Sequence, residues 1–211
     1  MPSELRIARD RARVERRREA LLDAASVVFA RQGFHRTLVS DIADEARVGQ
    51  GTFYRHYVDK RAVYEALLDR FLSNVFEGFA GMSANPPHDT RQYRDASVAA
   101  VLRAAGVLER ERPLALLLMR EAAAIDRRLE QKVDAMYATL ADIAQSFLDR
   151  AVAEGFGRPC RTEVVSQAIV GMGAWAANAW WSGRIRNVSL EAYVEELIDF
   201  AFLGIGKPPA P

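Results

Sequence analysis

The sequence predicts an all-α protein of about nine helices. Apolar residues recur at three- and four-residue intervals along most of the chain, and no segment shows the period-two alternation of a half-buried strand. Prolines and glycines gather at a few places, and the intervals between them have the length of helices. The first helix is expected from about Arg16 to Gln32, with Leu21, Leu22, Ala25, Val28 and Phe29 on one stripe. Gly33 supplies its left-handed stop, after which Phe34 packs back on it. Thr37 is a candidate N-cap for a short second helix ending near Ala46, with Ile42 and Ala43 inward and Asp41, Asp44 and Glu45 outward. Arg47, Val48 and Gly49 make a tight turn. Gln50 begins a third short helix reaching about Tyr57, and Asp59 caps a fourth running to about Met82.

The segment from Ser83 to Asp89 contains Pro86 and Pro87 and reads as a connection. Helices follow from about Thr90 to Glu109, from Pro113 to about Ile125 and from about Arg127 to Glu154. In the last of these, Val133, Met136, Tyr137, Leu140, Ile143, Ala144, Phe147, Leu148 and Ala151 follow one another at steps of three or one, a strong helical signature. Gly155, Gly157 and Pro159 break it. Thr162 and Ser189 are candidate caps for two closing helices, to about Gly183 and about Gly204, and the tail from Lys207 to Pro211 is expected to fray.

Composition narrows the class. Half of the 211 residues are hydrophobic and 27% are charged, the balance of a globular chain with a sizeable core. The net charge of +1 says nothing about partners, but its distribution does: residues 1–61 hold 13 Lys/Arg against 9 Asp/Glu, and residues 62–211 hold 16 against 19. The basic excess is confined to one end. Cys160 is the only cysteine, which excludes an intrachain disulfide and a CxxC site. The first twenty residues carry seven arginines without the apolar run of a secretory signal. The longest near-apolar stretch, Ala168 to Ala177, is half of the roughly 20 residues that cross a bilayer. The expectation is a cytoplasmic protein with no membrane association. There is no GxSxG, no phosphate-cradling glycine loop after a strand, no HExxH among three widely spaced histidines, and no cysteine with a histidine partner. Neither an enzyme nor a metal site nor a cofactor is expected.

Two short helices separated by a glycine-containing turn, with another helix packed against them, form a helix-turn-helix candidate. Its third helix sharpens the case. Gln50, Gly51, Thr52, Tyr54, Arg55 and His56 offer hydrogen bonds, close approach or stacking, while Val48, Phe53 and Tyr57 anchor inward. An outer face so polar must meet something polar.

The run Thr37, Leu38, Val39, Ser40, Asp41, Ile42, Ala43, then Val48 to Tyr57, then Asp59, Lys60, Arg61 and Ala62 resembles the DNA-binding segment of the tetracycline-repressor (TetR) family of bacterial regulators. The resemblance covers about Arg17 to Leu68, including the Phe29, Gly33 and Phe34 pattern. Over the rest of the chain it extends only to length and helical character. It implies an N-terminal helix-turn-helix DNA-binding domain over residues 1–61, and a helical domain over residues 62–211 that binds a small effector and dimerises. Two departures, Gln50 where Ser or Lys is common and Arg55 at a variable position, alter which bases are read and leave the fold intact.

Groove chemistry then assigns roles. Gln50 makes a bidentate contact to adenine or reaches a phosphate. Gly51 lets backbone approach the base edges. Thr52 and Tyr54 offer a methyl or ring face to thymine and hydroxyls to phosphate. Arg55 reads guanine or binds phosphate, and His56 binds phosphate. Lys60, Thr37 and Ser40 are expected at phosphates near helix starts. Arg17, Arg18 and the arginines before them form either an arm over the flanking DNA or a solvated tail.

In the C-terminal part, Met119, Tyr137, Phe147 and Trp175, with Arg120 and Asn178 as polar members, are candidates to line an effector cavity. An apolar or aromatic effector follows from that lining, and ordinary core packing is the alternative. The small residues from Ala168 to Ala179 and the stripe Val194, Leu197, Ile198, Ala201 and Phe202 suit a homodimer through the last two helices. The expected function is a ligand-responsive transcriptional repressor, a homodimer released from a palindromic operator by its effector. An architectural DNA binder with a solid core and a helical protein with a vestigial N-terminal segment stay open.

Overall fold

The computed structural model describes residues 2–84, 87–110 and 112–205, the side chains of 2–5, 80–84, 108, 113, 119, 120 and 203–205 excepted. Among the described residues there are nine helices and no strand: α1 (Pro2–Arg36), α2 (Val39–Glu45), α3 (Gln50–His56), α4 (Lys60–Ala84), α5 (Thr90–Arg110), α6 (Arg112–Ile125), α7 (Arg127–Ala153), α8 (Thr162–Trp181) and α9 (Leu190–Ile205). The tail from Lys207 lies outside them. Boundaries agree with the predicted ones to within a few residues except at the N-terminus, where α1 begins at Pro2 and not near Arg16. Apolar periodicity reports burial, and residues 6–18 are all exposed, so that signal is absent there. Helicity comes instead from a run of Ala, Arg, Leu and Glu uninterrupted by Gly or Pro between Ser3 and Gln32, with Asp10–Arg13 and Glu15–Arg18 pairs at 3.8 and 3.5 Å. Gly33 turns the chain with φ 79°, as expected of a helix stop.

The chain divides into two compact units, Met1–Leu72 with Pro113–Leu129, and Ser73–Arg112 with Glu130–Pro211. The boundary expected after residue 61 therefore falls inside α4, and most of α6 belongs with the N-terminal helices. The first unit is built on the predicted stripe: Leu21, Leu22, Ala25, Val28 and Phe29 are buried against Ile42, Ala43, Phe53, Val63, Tyr64, Leu67 and Leu68. Each of the Leu, Val, Ile and Phe side chains contributes about 1.5–3 kcal/mol of burial. Phe29 and Phe34 meet the edge of the Tyr64 ring at 5.8 and 5.3 Å. The Tyr64 hydroxyl, within this core, donates to the Leu118 carbonyl at 3.0 Å, which ties α6 to α4. Burial, with the Glu121 carboxylate adding, pushes the Tyr64 pKa well up, so the hydroxyl keeps its proton and stays a donor.

In the second unit α5 packs on α9, and the core gathers Tyr93, Ala100, Phe147 and Ala151 with Phe79, Ile143, Phe156 and Phe202. Arg94 of α5 pairs with Asp199 of α9. Gly78 sets how closely α4 and α5 approach: a Cβ there would come 2.9 Å from the Ala104 nitrogen, and Arg103 Nε donates to the Gly78 carbonyl at 3.1 Å. Gly78→Ala should therefore lower stability by about 1 kcal/mol, because overpacking of about 1–3 kcal/mol outweighs a helix-propensity gain of about 1 kcal/mol. Denaturant unfolding measures it, and an increase in stability would contradict the close approach.

Candidate nucleic-acid interface

Helix α2 starts at Val39, one residue later than a Thr37 cap would place it. Leu38 stands in the cap position, and its N–H is accepted by the Asp41 carboxylate at 2.9 Å. That bond, with a second from the Gln32 amide, holds Asp41 below the usual carboxylate range. The turn closes through Val48 N–H donating to the Ala43 carbonyl at 2.9 Å, with Arg47 in the left-handed region at φ 54°. Gly49, in an extended conformation, then begins α3.

The seven residues of α3 divide cleanly. Phe53 has no exposed surface, and Tyr57 just beyond is buried, their rings 6.0 Å apart. Gln50, Gly51, Tyr54 and Arg55 are exposed, Thr52 and His56 partly so, and Tyr54 shows 54% of its surface. No atom lies within 4 Å of where a Gly51 Cβ would stand, so the backbone there is open to close approach. Arg55 Nη2 donates to Thr52 Oγ1 at 2.8 Å, which lays the guanidinium along the helix. The helix carries Arg55 and His56 and no carboxylate. The acids of α2 are grouped elsewhere, with Arg31, Gln32 and Arg47. Arg18 of α1 lies at the other end of α3, beside a depression it shares with Glu19, His56 and Tyr57. Burial raises the Tyr57 pKa and the Arg18 guanidinium opposes it. Ser40 is half-exposed on α2.

Two expected phosphate contacts have other occupations. Thr37 has no exposed surface, and its hydroxyl donates to the Gly33 carbonyl at 2.7 Å. The Lys60 ammonium donates to three carbonyls at the end of α1: Phe34 at 2.9 Å, His35 at 3.0 Å and Thr37 at 2.8 Å. It also sits 4.6 Å from the centre of the Phe34 ring. All three protons of a lysine are thereby used. The cause is the kink at Gly33, which frees carbonyls that need donors, and a cation at a helix C-terminus meets both the need and the dipole. Local sequence places Lys60 at the start of α4, but not opposite the end of α1.

The complementary group is Glu121 of α6. Its Oε2 accepts the Phe34 N–H at 2.9 Å. Nearby, Arg61 pairs with Asp126 and with Glu65, and Arg128 reaches Glu65 at 3.4 Å. Asp126 also accepts the N–H groups of Arg128 and Leu129, capping α7. The Arg61 guanidinium first, and the Leu129 amide next, hold its carboxyl down at about 2. Its place just before a helix is a sequence signal for the cap; nothing local announces Glu121.

Where they are described, the candidate effector residues differ in their surroundings. Met119 and Arg120 have side chains outside the described residues. Phe147 packs in the second core, 5.9 Å from Tyr93. Tyr137 is half-buried, and burial raises its pKa. Trp175 is 66% exposed, with the Arg184 guanidinium 4.7 Å from its ring centre, and Arg184 also donates to Asn178 Oδ1 at 2.7 Å. Spacing put these residues on suitable helices without fixing which way each helix turns. An apolar depression in the second unit is lined instead by Tyr93, Leu148, Ala151, Phe156, Cys160 and Phe202. No group of three metal-ligating side chains occurs among the described residues, and no helix among them is long and apolar enough to cross a membrane.

Residues 21–67 match the family model described as bacterial regulatory proteins, tetR family. The HTH-type transcriptional regulator HbdR of Aromatoleum sp. (strain CIB) is 29% identical over 87% of this chain and 78% of its own length. The HTH-type transcriptional repressor KstR2 of Rhodococcus jostii is 40% identical over 60 residues, 28% of this chain and 29% of the repressor. Among solved structures, a complex of SmeT with triclosan has a TM-score of 0.72 at 20% identity, covering 92% of this chain and 93% of SmeT.

The charges around α1 and α6 can be probed at two residues. Lys60→Met should lower the melting temperature, with a loss of about 1–3 kcal/mol for three carbonyls left without a donor; an unchanged melt would return Lys60 to the phosphate role. Because the Asp126 pKa is depressed in the folded state, its stabilisation is present above the unfolded value near 4 and is lost as pH falls to about 2. Asp126→Asn keeps a cap but removes the charge, so stability measured between pH 4 and 2 should fall less steeply in the variant than in the wild type.

Proposed function

Because residues 21–67 match the tetR family of bacterial regulatory proteins and a transcriptional regulator is similar over most of the chain, we propose that this chain is a repressor that binds a near-palindromic operator as a homodimer and is released by a small apolar or aromatic effector. The observation that carries the DNA contacts is the division of α3, with Phe53 inside and Gln50, Gly51, Thr52, Tyr54, Arg55 and His56 outside. Arg18 and Ser40 complete the contact set at its edges. Thr37 and Lys60 act at one remove, by fixing the junction from which α2 and α4 depart.

The dimer reading rests on faces left uncovered in the single chain. Val164, Ala168, Gly171 and Trp175 follow one another at steps of four, three and four along α8 and are all exposed. Phe200 of α9 is 70% exposed. An exposed apolar surface of this kind marks an interface, and a two-fold axis makes it self-complementary. Paired in this way, two α3 helices about 34 Å apart enter successive major grooves.

Support for an apolar or aromatic effector comes from the half-buried Tyr137 and from SmeT, a protein of the same fold whose structure is a complex with triclosan. Met119 and Arg120 remain candidate contacts together with Tyr137. An effector that fits only a conformer with misspaced α3 helices weakens DNA binding by its preference for that conformer, typically about 1–3 kcal/mol.

Selection of bound sequences from random DNA tests binding, half-site symmetry and spacing together. The expected product is an inverted repeat with half-sites about one helical turn apart; recovery of no preferred sequence would sink the reading. On the selected duplex, Tyr54→Ala should weaken binding about tenfold or more, the scale of one direct base or phosphate contact, with no change in melting temperature. Equal affinity would remove Tyr54 from the interface.

A further inference from the structure

The first five turns of α1 are not absorbed by the site described above. From Arg6 to Arg18 the sequence holds seven arginines and two carboxylates, and every residue of the stretch is exposed. The two acids are taken by Arg13 and Arg18. Arg6, Arg9, Arg11, Arg16 and Arg17 have no ion pair among the described residues. The helix is continuous from Pro2 into the buried stripe that begins at Leu21. At 1.5 Å per residue, the stretch before that stripe is roughly 28 Å long, which matches about eight base pairs at 3.4 Å.

Where this helix leaves the body is also fixed. Arg18 and Glu19 line one depression with His56 and Tyr57, at the C-terminal end of α3. Arg11, seven residues before Arg18, continues the same face. A strongly cationic rod thus departs beside the helix that carries the candidate base contacts. Its large apolar residues, Ile7 and Val14, are too few to insert into a bilayer, whereas duplex DNA presents a phosphate charge every 1.7 Å.

We propose that residues 6–17 form a helical arm that grips phosphates flanking the sequence contacted by α3, and so sets affinity and the length of DNA covered but not base preference. The proposal rests on the reading of α3 as a DNA-contacting helix. Because the arm is already helical, little chain ordering is required when it binds.

The test compares the wild-type chain with a variant carrying Arg6→Ala, Arg9→Ala, Arg11→Ala and Arg13→Ala, which preserves helix propensity, and with the corresponding Arg→Gln variant. Circular dichroism and melting verify that both are folded. The probe is the duplex selected by the wild type from random DNA, with ten base pairs added at each end or trimmed to the half-sites. On the long duplex the variants should bind about tenfold or more weakly, and the slope of log affinity against log salt should become shallower by about 0.9 for each phosphate that is no longer neutralised. On the trimmed duplex the wild type should fall to the level of the variants, with the same ranking of mutated sites. Coincident affinities and slopes for wild type and variants would overturn the arm alone. Failure of the wild type to bind duplex DNA would overturn the reading of α3 and the arm with it. Arginine-dependent binding to phosphatidylglycerol vesicles, with coincident DNA curves, would overturn it in favour of a membrane surface.

Discussion

The first unit depends on how the end of α1 is satisfied. Gly33 breaks the helix, and within four residues backbone groups at Gly33, Phe34, His35 and Thr37 need partners. Lys60 takes three of the carbonyls, the Thr37 hydroxyl takes the fourth, and Glu121 takes the Phe34 amide. A cation from the first turn of α4 and an anion from α6 therefore meet at one kink. Each is held by backbone and not by the other, so the junction specifies direction as well as charge.

This arrangement explains why most of α6 belongs with the N-terminal helices. The Tyr64 hydroxyl, the Arg61–Asp126 pair and the Glu121 carboxylate all join α6, or the turn after it, to α1 and α4. The exposed face of α3 is thus aimed by contacts that lie away from it. Phe53 and Tyr57 fix its depth, the Lys60 junction fixes where α4 leaves, and the outward side chains are left exposed. Polar residues in this unit accordingly divide into those consumed by construction and those left at the surface.

The helical inventory, the stop at Gly33, the cap at Asp59 and the inward and outward sides of α3 were all legible, because each depends on neighbours within a few residues. The long arginine-rich start of α1 was missed for a related reason: it is a helix without a buried face, and periodicity detects burial. Among the site residues, Gln50, Tyr54 and Arg55 are exposed as the pattern implies, while Thr37 and Lys60 are occupied by carbonyls contributed by the end of α1.

By itself, then, the sequence determined where most helices start and stop, which residues of α3 anchor it, and the bacterial regulator family that its N-terminal helices resemble, since all of these are written in short-range spacing. Only tertiary structure decided that Lys60 and Glu121 converge on one kink, that α6 joins the N-terminal unit, and that Phe147 and Trp175 lie in different surroundings. Those outcomes depend on how helices far apart in sequence are rotated and docked. A side chain's partner across 26 or 87 residues is set by that docking, which no local periodicity encodes.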